Sequence, residues 1–252
     1  MLPYFLKPKL SVKLKRLGSK NDGGYFVPKK LILATENLIC FGLGFNWDFE
    51  KDFLKYNKSC KLMIYDHTVT YFSLIIDFFK SLFFSLRYRK EFSKVLKIFD
   101  YLRLFRASRA VHKKNKVGST NIKEQCQINV EKTLKNKRKI FLKIDIEGDE
   151  YKILDKIIKH QENILCLVIE FHKIGNNFKK LKRFYKNFKL INCNTCPNNS
   201  SGLDNNKNIK AIEVTFINTL FFKKKDFKNK IRPKCSINNP YKKKIILNYN
   251  KS

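Results

Sequence analysis

The 252-residue chain has 43% hydrophobic residues and a formal net charge of +33. It is long enough to bury a sizeable α/β core, and its apolar content excludes a chain with nothing to pack. The charge comes mainly from lysines spread through the sequence, a bias that A/T-rich codons can produce. It raises non-specific affinity for nucleic acid, anionic lipid or acidic glycan without choosing among them.

The first 17 residues alternate basic and apolar character, and prolines at 3 and 8 interrupt the apolar start, which does not read as a secretory signal. Seven cysteines, an odd number, sit at 40, 60, 126, 166, 193, 196 and 235. Cys40 and Cys166 lie in apolar runs and read as buried thiols, and a reducing, cytoplasmic setting is expected. Cys193 and Cys196 have the spacing of half a zinc site, but no second pair follows, so no metal site is assigned to them.

Asn21-Asp22-Gly23-Gly24 is a turn signal, followed by a short extended piece that ends at Pro28. Leu38–Phe41 predicts a buried parallel strand that runs into Gly42-Leu43-Gly44, and the pattern becomes helical from Asp48 to Leu54. Strand, Gly-x-Gly, helix is how a nucleotide-binding βαβ unit begins, with glycines that let backbone approach a ligand. Trp47 stands where a dinucleotide fingerprint needs its third glycine, which disfavours an NAD-dependent enzyme. Lys61–Tyr65 predicts a second strand with Asp66 at its tip, placed to accept hydrogen bonds from a ribose.

Residues 70–110 interrupt this rhythm. Phe72, Ile75, Ile76, Phe79, Leu82, Phe83 and Leu86 recur at helical spacing, and a second helix is predicted over 91–107 with basic residues on one face. The stretch reads as a helical insertion, either a layer over the core or a basic, aromatic surface that meets a membrane or partner. Residues 112–121 read as a polar loop and Asn129–Leu134 as a short helix.

Lys139–Leu142 predicts a short buried strand, and Tyr151, Leu154, Ile157 and Ile158 share one face of the following helix. Between them lie Asp145, Glu147, Gly148, Asp149 and Glu150. Carboxylates at the carboxyl end of a strand suit either a ligand site or a capped helix start. Leu165–Phe171 predicts a further strand ending at His172, followed by a helix through Phe188. Two more strands, 189–192 and 211–217, suggest an antiparallel edge around an Asn-rich loop. The sequence divides into one domain over 1–222 and a lysine-rich tail over 223–252, expected to be partly disordered.

The order predicts an α/β fold, a doubly wound, mostly parallel sheet with an antiparallel edge and a helical insertion. Two groups should meet at its carboxyl edge: Gly42, Gly44 and Asp66, and the acidic loop with His172. The segments Lys143-Ile-Asp-Ile-Glu-Gly-Asp-Glu150, Asp22–Pro28, Phe41–Gly44 with Phe49-Glu50, Tyr65-Asp66, Ile169–His172 and Glu213–Ile217 resemble the FkbM-type S-adenosylmethionine-dependent methyltransferases. The resemblance implies a Rossmann-like class I methyltransferase fold and S-adenosylmethionine as cofactor. It also implies methylation, commonly of a hydroxyl on a sugar, glycan or small natural product. By position, Gly42, Gly44, Asp66 and Asp145 would face the cofactor, with Glu147 beside it or the acceptor. The 70–110 insertion departs from the shorter family pattern and leaves the acceptor open.

A hydroxyl acceptor benefits from a base, and Asp145, His172 or Glu147 is placed to serve. The acidic loop offers oxygen ligands to a divalent cation, but no spacing demands one. Competing readings are a structural His172 and a non-catalytic, basic nucleic-acid-binding protein. No compact recognition motif supports specific nucleic-acid binding. Peripheral contact with an anionic membrane is a further expectation from the 70–110 helices.

Overall fold

The computed structural model describes residues 2–8, 10, 12–19, 23–88, 97–106, 108–123, 126–195, 209, 211–218, 221 and 249–250. Seven strands form the central sheet: β1 (Asn37–Phe41), β2 (Lys61–Tyr65), β3 (Ala110–Lys113), β4 (Ile140–Ile144), β5 (Ile164–His172), β6 (Lys189–Thr195) and β7 (Ala211–Ile217). Their spatial order is β3-β2-β1-β4-β5-β7-β6. The first five are mutually parallel. β7 runs antiparallel to both β5 and β6. The expected antiparallel pair is therefore present, with β7 one place in from the edge and β6 outermost.

Beyond a short helix at Lys29–Ala34, the helices are α1 (Asp48–Tyr56), α2 (Tyr71–Tyr88), α3 (Lys97–Arg106), α4 (Val130–Leu134), α5 (Glu150–Lys159) and α6 (Phe178–Asn187). They cover both faces of the sheet, which explains why its strands are apolar without alternation. In β1, Ile39 and Phe41 join one buried cluster with Leu154 of α5 and Phe184 of α6. Leu38 and Cys40 join the other, with Phe49 and Phe53 of α1 and Tyr101 of α3. The period-two geometry of a strand sends successive side chains to the two layers. Phe49, Phe53 and Phe141 are wholly buried, each contributing roughly 1.5–3 kcal/mol of transfer free energy.

Two sequence expectations change. Residues 110–113 form β3, and Lys116–Gly118 pairs in parallel with Gln127–Asn129, where a loop over 112–121 was expected. β3 escapes the pattern because it is a short edge strand, with Ala110 buried and Val111 45% exposed. Its pairing with β2 makes α2 and α3 the crossover between two parallel strands. The 70–110 helices thus lie within, and enlarge, the βαβ connection between β2 and β3.

The hairpin expected around Gly23-Gly24 joins Leu14–Leu17 to Tyr25–Pro28. Asn21, Asp22, residues 89–96, Cys196, Cys235 and most of the tail lie outside the described residues. Of the tail, Tyr249–Asn250 pairs in parallel with Leu2–Pro3. Among the described residues, no helix is long and apolar enough to cross a membrane.

Candidate active site

Strand order reverses between β1 and β4, so the loops after them diverge and leave a crevice at the carboxyl edge. A cavity of 410 Å³ opens there, within the usual range for small-molecule sites. Gly42, Gly44, Asp66, Asp145 and Glu147 all line it. His172 stands behind this wall, with its Nε2 3.6 Å from Glu147.

The first side of the crevice is built on one carboxylate. Asp66 Oδ2 accepts from the backbone N–H groups of Leu43 (2.6 Å) and Gly44 (3.0 Å). Oδ1 accepts from the Thr68 N–H and hydroxyl, both at 2.6 Å, and from the Val69 N–H at 3.3 Å. Burial alone would raise its pKa, but these bonds outweigh burial and lower it, so Asp66 is held ionised. Five donors occupy a group with about four lone-pair sites. Asp66 fastens the glycine loop to the start of the β2–β3 crossover, and a ribose hydroxyl would have to share or displace one of these donors.

The two glycines have different reasons. Gly42 has φ +83°, and a Cβ there would lie 1.8 Å from the Asp145 carbonyl oxygen, so backbone packing against β4 demands it. Gly44 has φ +57°, and a Cβ there would meet nothing within 4 Å, leaving the loop open towards the cavity. Trp47, in the place of a third glycine, is buried edge-on against Tyr101 of α3 and ties α1 to the crossover. A second tie runs through His112. Its Nε2–H donates to the Asp66 carbonyl at 2.9 Å, so its Nδ1 accepts from the Tyr101 hydroxyl at 2.6 Å.

The second side is built on charge. Its loop turns through two left-handed residues, Glu147 (φ +55°) and Gly148 (φ +105°). Glu150 holds the turn, with Oε1 accepting from Gly148 N–H at 2.9 Å and Ile146 N–H at 3.3 Å. Asp149 occupies the cap position without a side-chain cap bond and pairs instead with Lys116 and Lys152. Within this stretch Asp145 and Glu147 line the cavity, while Asp149 and Glu150 stand at the helix start.

The His172 ring lies among carboxylates. Nδ1 is 3.0 Å from Glu150 Oε1, and Nε2 is 3.3 Å from Glu170 Oε1. Burial alone would lower its pKa, but the bonds to Glu150 and Glu170 prevail and push it up to about 10. At neutral pH His172 is an imidazolium, which donates from both nitrogens and cannot take a proton. In that state it is a poorer proton acceptor than a carboxylate. Asp145 is raised as well: burial first, then the Glu170 charge, lift its carboxyl to about 7. A carboxylate at that value accepts a proton near neutrality far better than an ordinary aspartate.

Side chains the sequence reading passed over complete the floor. Lys143, alone polar in the β4 run, lines the cavity and pairs with Glu50 of α1 at 2.8 Å, both side chains almost fully buried. Burial would lower the Lys143 pKa, but the Glu50 charge outweighs it and raises it. A lysine inside a strand of otherwise apolar residues was the available signal. Asn46, Asn115 and Lys116 also line the cavity, on loops whose course the sequence pattern did not reveal.

Asp145, Glu147 and His172 bring potential ligand atoms within 4.8 Å of one another. The residues fit a divalent cation only after His172 gives up the proton that Glu150 and Glu170 hold on it. Around the Lys143 floor the crevice presents an open glycine at Gly44 and the polar side chains of Asn46, Thr68 and Asn115.

The sheet order and this crevice define a doubly wound, Rossmann-like α/β architecture. Residues 102–192 match the family model of the methyltransferase FkbM domain. That span, less than half of the chain, includes Asp145, Glu147 and His172 and leaves out Gly42, Gly44 and Asp66. A search of curated proteins found no match. Among solved structures, the chain is similar to the fibrillarin/Nop5p complex, at 11% identity and a TM-score of 0.39, over 83% of this chain and 97% of that one. It is also similar to precorrin-6y C5,15-methyltransferase from Geobacter metallireducens GS-15, at 10% identity and a TM-score of 0.35, over 75% and 87%. Likeness at this level carries no functional weight.

Proposed function

We propose that the protein is an S-adenosylmethionine-dependent methyltransferase that methylates a hydroxyl of a sugar, glycan or small natural product. The observation that carries this reading is Asp145. Its carboxyl, raised to about 7, stands in the cavity wall beside Glu147 and within the span that matches the methyltransferase family model.

S-adenosylmethionine, when bound, supplies a sulfonium-borne methyl group. Gly44 leaves room for close approach, and Asp66 keeps the loop that carries it in one shape. Asp145 receives the proton of the acceptor hydroxyl as the oxygen attacks. Lys143 and the His172 imidazolium balance the charge that Asp145 carries before it takes this proton, and both lie in its electrostatic reach. Most of the remaining catalysis is alignment of acceptor and donor, which a rigid crevice provides. A nucleic-acid-binding protein without activity would need only the dispersed charge, and leaves the Asp145 environment unexplained.

Calorimetry with S-adenosylmethionine and S-adenosylhomocysteine tests the cofactor. Transfer of labelled methyl to a cell glycan extract tests the acceptor. No binding by well-folded protein would overturn the reading. The transfer rate should rise with pH through about 7, as Asp145 loses its proton, and fall again near 10 as His172 loses its own.

A further inference from the structure

α2 turns its apolar side outward. It starts at a reciprocal cap, in which Ser73 N–H donates to Thr70 Oγ1 and Thr70 N–H donates to Ser73 Oγ. Thr70 is only two residues beyond Thr68, which lines the cavity. On the outer face Phe72 (72% exposed), Ile75, Ile76, Phe79 (62%) and Phe83 (60%) fall at helical spacing with Lys80. Inward, Leu74 is 2% exposed. α3, packed against α2, repeats the arrangement: Tyr101 and Leu104 face the core, while Phe99, Leu102, Arg103 and Arg106 face out. A folded protein rarely leaves this much large apolar surface contiguous without an occupant.

Charge narrows the occupant. From Tyr71 to Lys114 the sequence has eleven lysines and arginines against three acidic residues. One of the three, Asp100, is already paired with Lys51 at 2.7 Å. A second copy of the chain would bring the same cationic face against itself in a two-fold interface. The chain's own lysine-rich tail would be repelled in the same way. Neither helix is long and apolar enough to cross a bilayer. Phenylalanines and isoleucines on one surface, bordered by lysine and arginine, suit a helix lying in the boundary between headgroups and acyl chains. We propose that the outer face of α2 and α3 docks on the surface of an anionic phospholipid bilayer. The phenylalanines enter the interface, and Lys80, Arg103 and Arg106 meet the lipid phosphates. This docking does not depend on methyl transfer.

The test is flotation of the full chain with vesicles of phosphatidylcholine alone and of phosphatidylcholine with phosphatidylglycerol, at near-physiological salt. Wild type should float with the anionic vesicles. The charge-neutral triple variant Phe72→Ser, Phe79→Ser, Phe83→Ser should bind at least about tenfold more weakly. Its circular dichroism and melting midpoint should match wild type, since these side chains are exposed, and Phe79→Ser alone serves if the triple variant misfolds. Arg103→Gln with Arg106→Gln should weaken binding to the anionic vesicles by several-fold. Equal flotation of the serine variants would mean bulk charge alone is at work and would overturn the proposal. So would no flotation of wild type, or a wild-type dimer that the serine substitutions abolish. Calorimetry with S-adenosylhomocysteine on the same preparation keeps failure of docking separate from failure of the enzymatic reading.

Discussion

At the end of β2 a single carboxylate, Asp66, accepts five hydrogen bonds from two loops. At the ends of β4 and β5 the proportions reverse: Glu147, Glu150 and Glu170 surround one imidazole, with Asp145 close by. Donors exceed acceptors on one side of the crevice, and acceptors exceed donors on the other. The first arrangement pins backbone and leaves a pKa low. The second leaves excess negative charge, which is relieved by keeping a proton on His172 and by making Asp145 reluctant to ionise. A frame and a proton-handling site thus face each other across one cavity, each made from ordinary carboxylates in different company.

The comparison can be broken most severely at the floor that both sides share. Lys143→Met leaves the Glu50 carboxylate buried without its partner and should cost about 3–5 kcal/mol, read as a fall in the denaturation midpoint. Adding Glu50→Leu should recover much of that loss. If the single change is silent, the pair does not hold the floor.

Gly42→Ala should cost more than about 2 kcal/mol, because its Cβ would strike the Asp145 carbonyl at a positive φ. Gly44→Ala meets only the strain of φ +57° and should be milder in stability while reducing cofactor affinity. Equal effects of the two would erase the distinction between a packing glycine and a ligand-facing one.

Asp66→Ala should cost about 1–3 kcal/mol through unsatisfied loop N–H groups and weaken cofactor binding in a still-folded protein. Unchanged calorimetric affinity would refute any part for Asp66 at the cofactor.

The smallest effect is in pH dependence. His172 titrates above its unfolded value, so its contribution is complete below about 6.5 and is lost as pH rises towards about 10. Asp145, raised to about 7, favours the folded state most below its unfolded value of about 3.9, and that advantage also disappears as pH rises through 7. Denaturation midpoints should fall from pH 6 to pH 10, and His172→Gln should flatten the upper part of that fall.

Much of this edge was legible from residue order. Gly42, Gly44, Asp66, Asp145 and Glu147 were expected at one crevice, and all five line the same cavity. Strand ends are readable because an apolar run stops where a polar or glycine residue begins, and parallel strands put those ends together. His172 was expected in the group, and its ring stands beside Glu147 at the same edge. Its partners Glu150 and Glu170 lie on two different elements, and nothing local in the sequence shows that both reach one ring. β3 was missed because an edge strand is stabilised by pairing on one side and need not carry an apolar pattern.

The sequence by itself determined the doubly wound order, the two layers and the residues at strand ends. Those follow from chain-local periodicity and from the rule that buried strands must be apolar. Only the tertiary structure decided which carboxylates reach the His172 ring, that Gly42 serves backbone packing, and that the 70–110 helices lie in a crossover and expose apolar side chains. These depend on distances between segments far apart in the chain. The energies involved, desolvation and charge pairing, vary with those distances rather than with residue type.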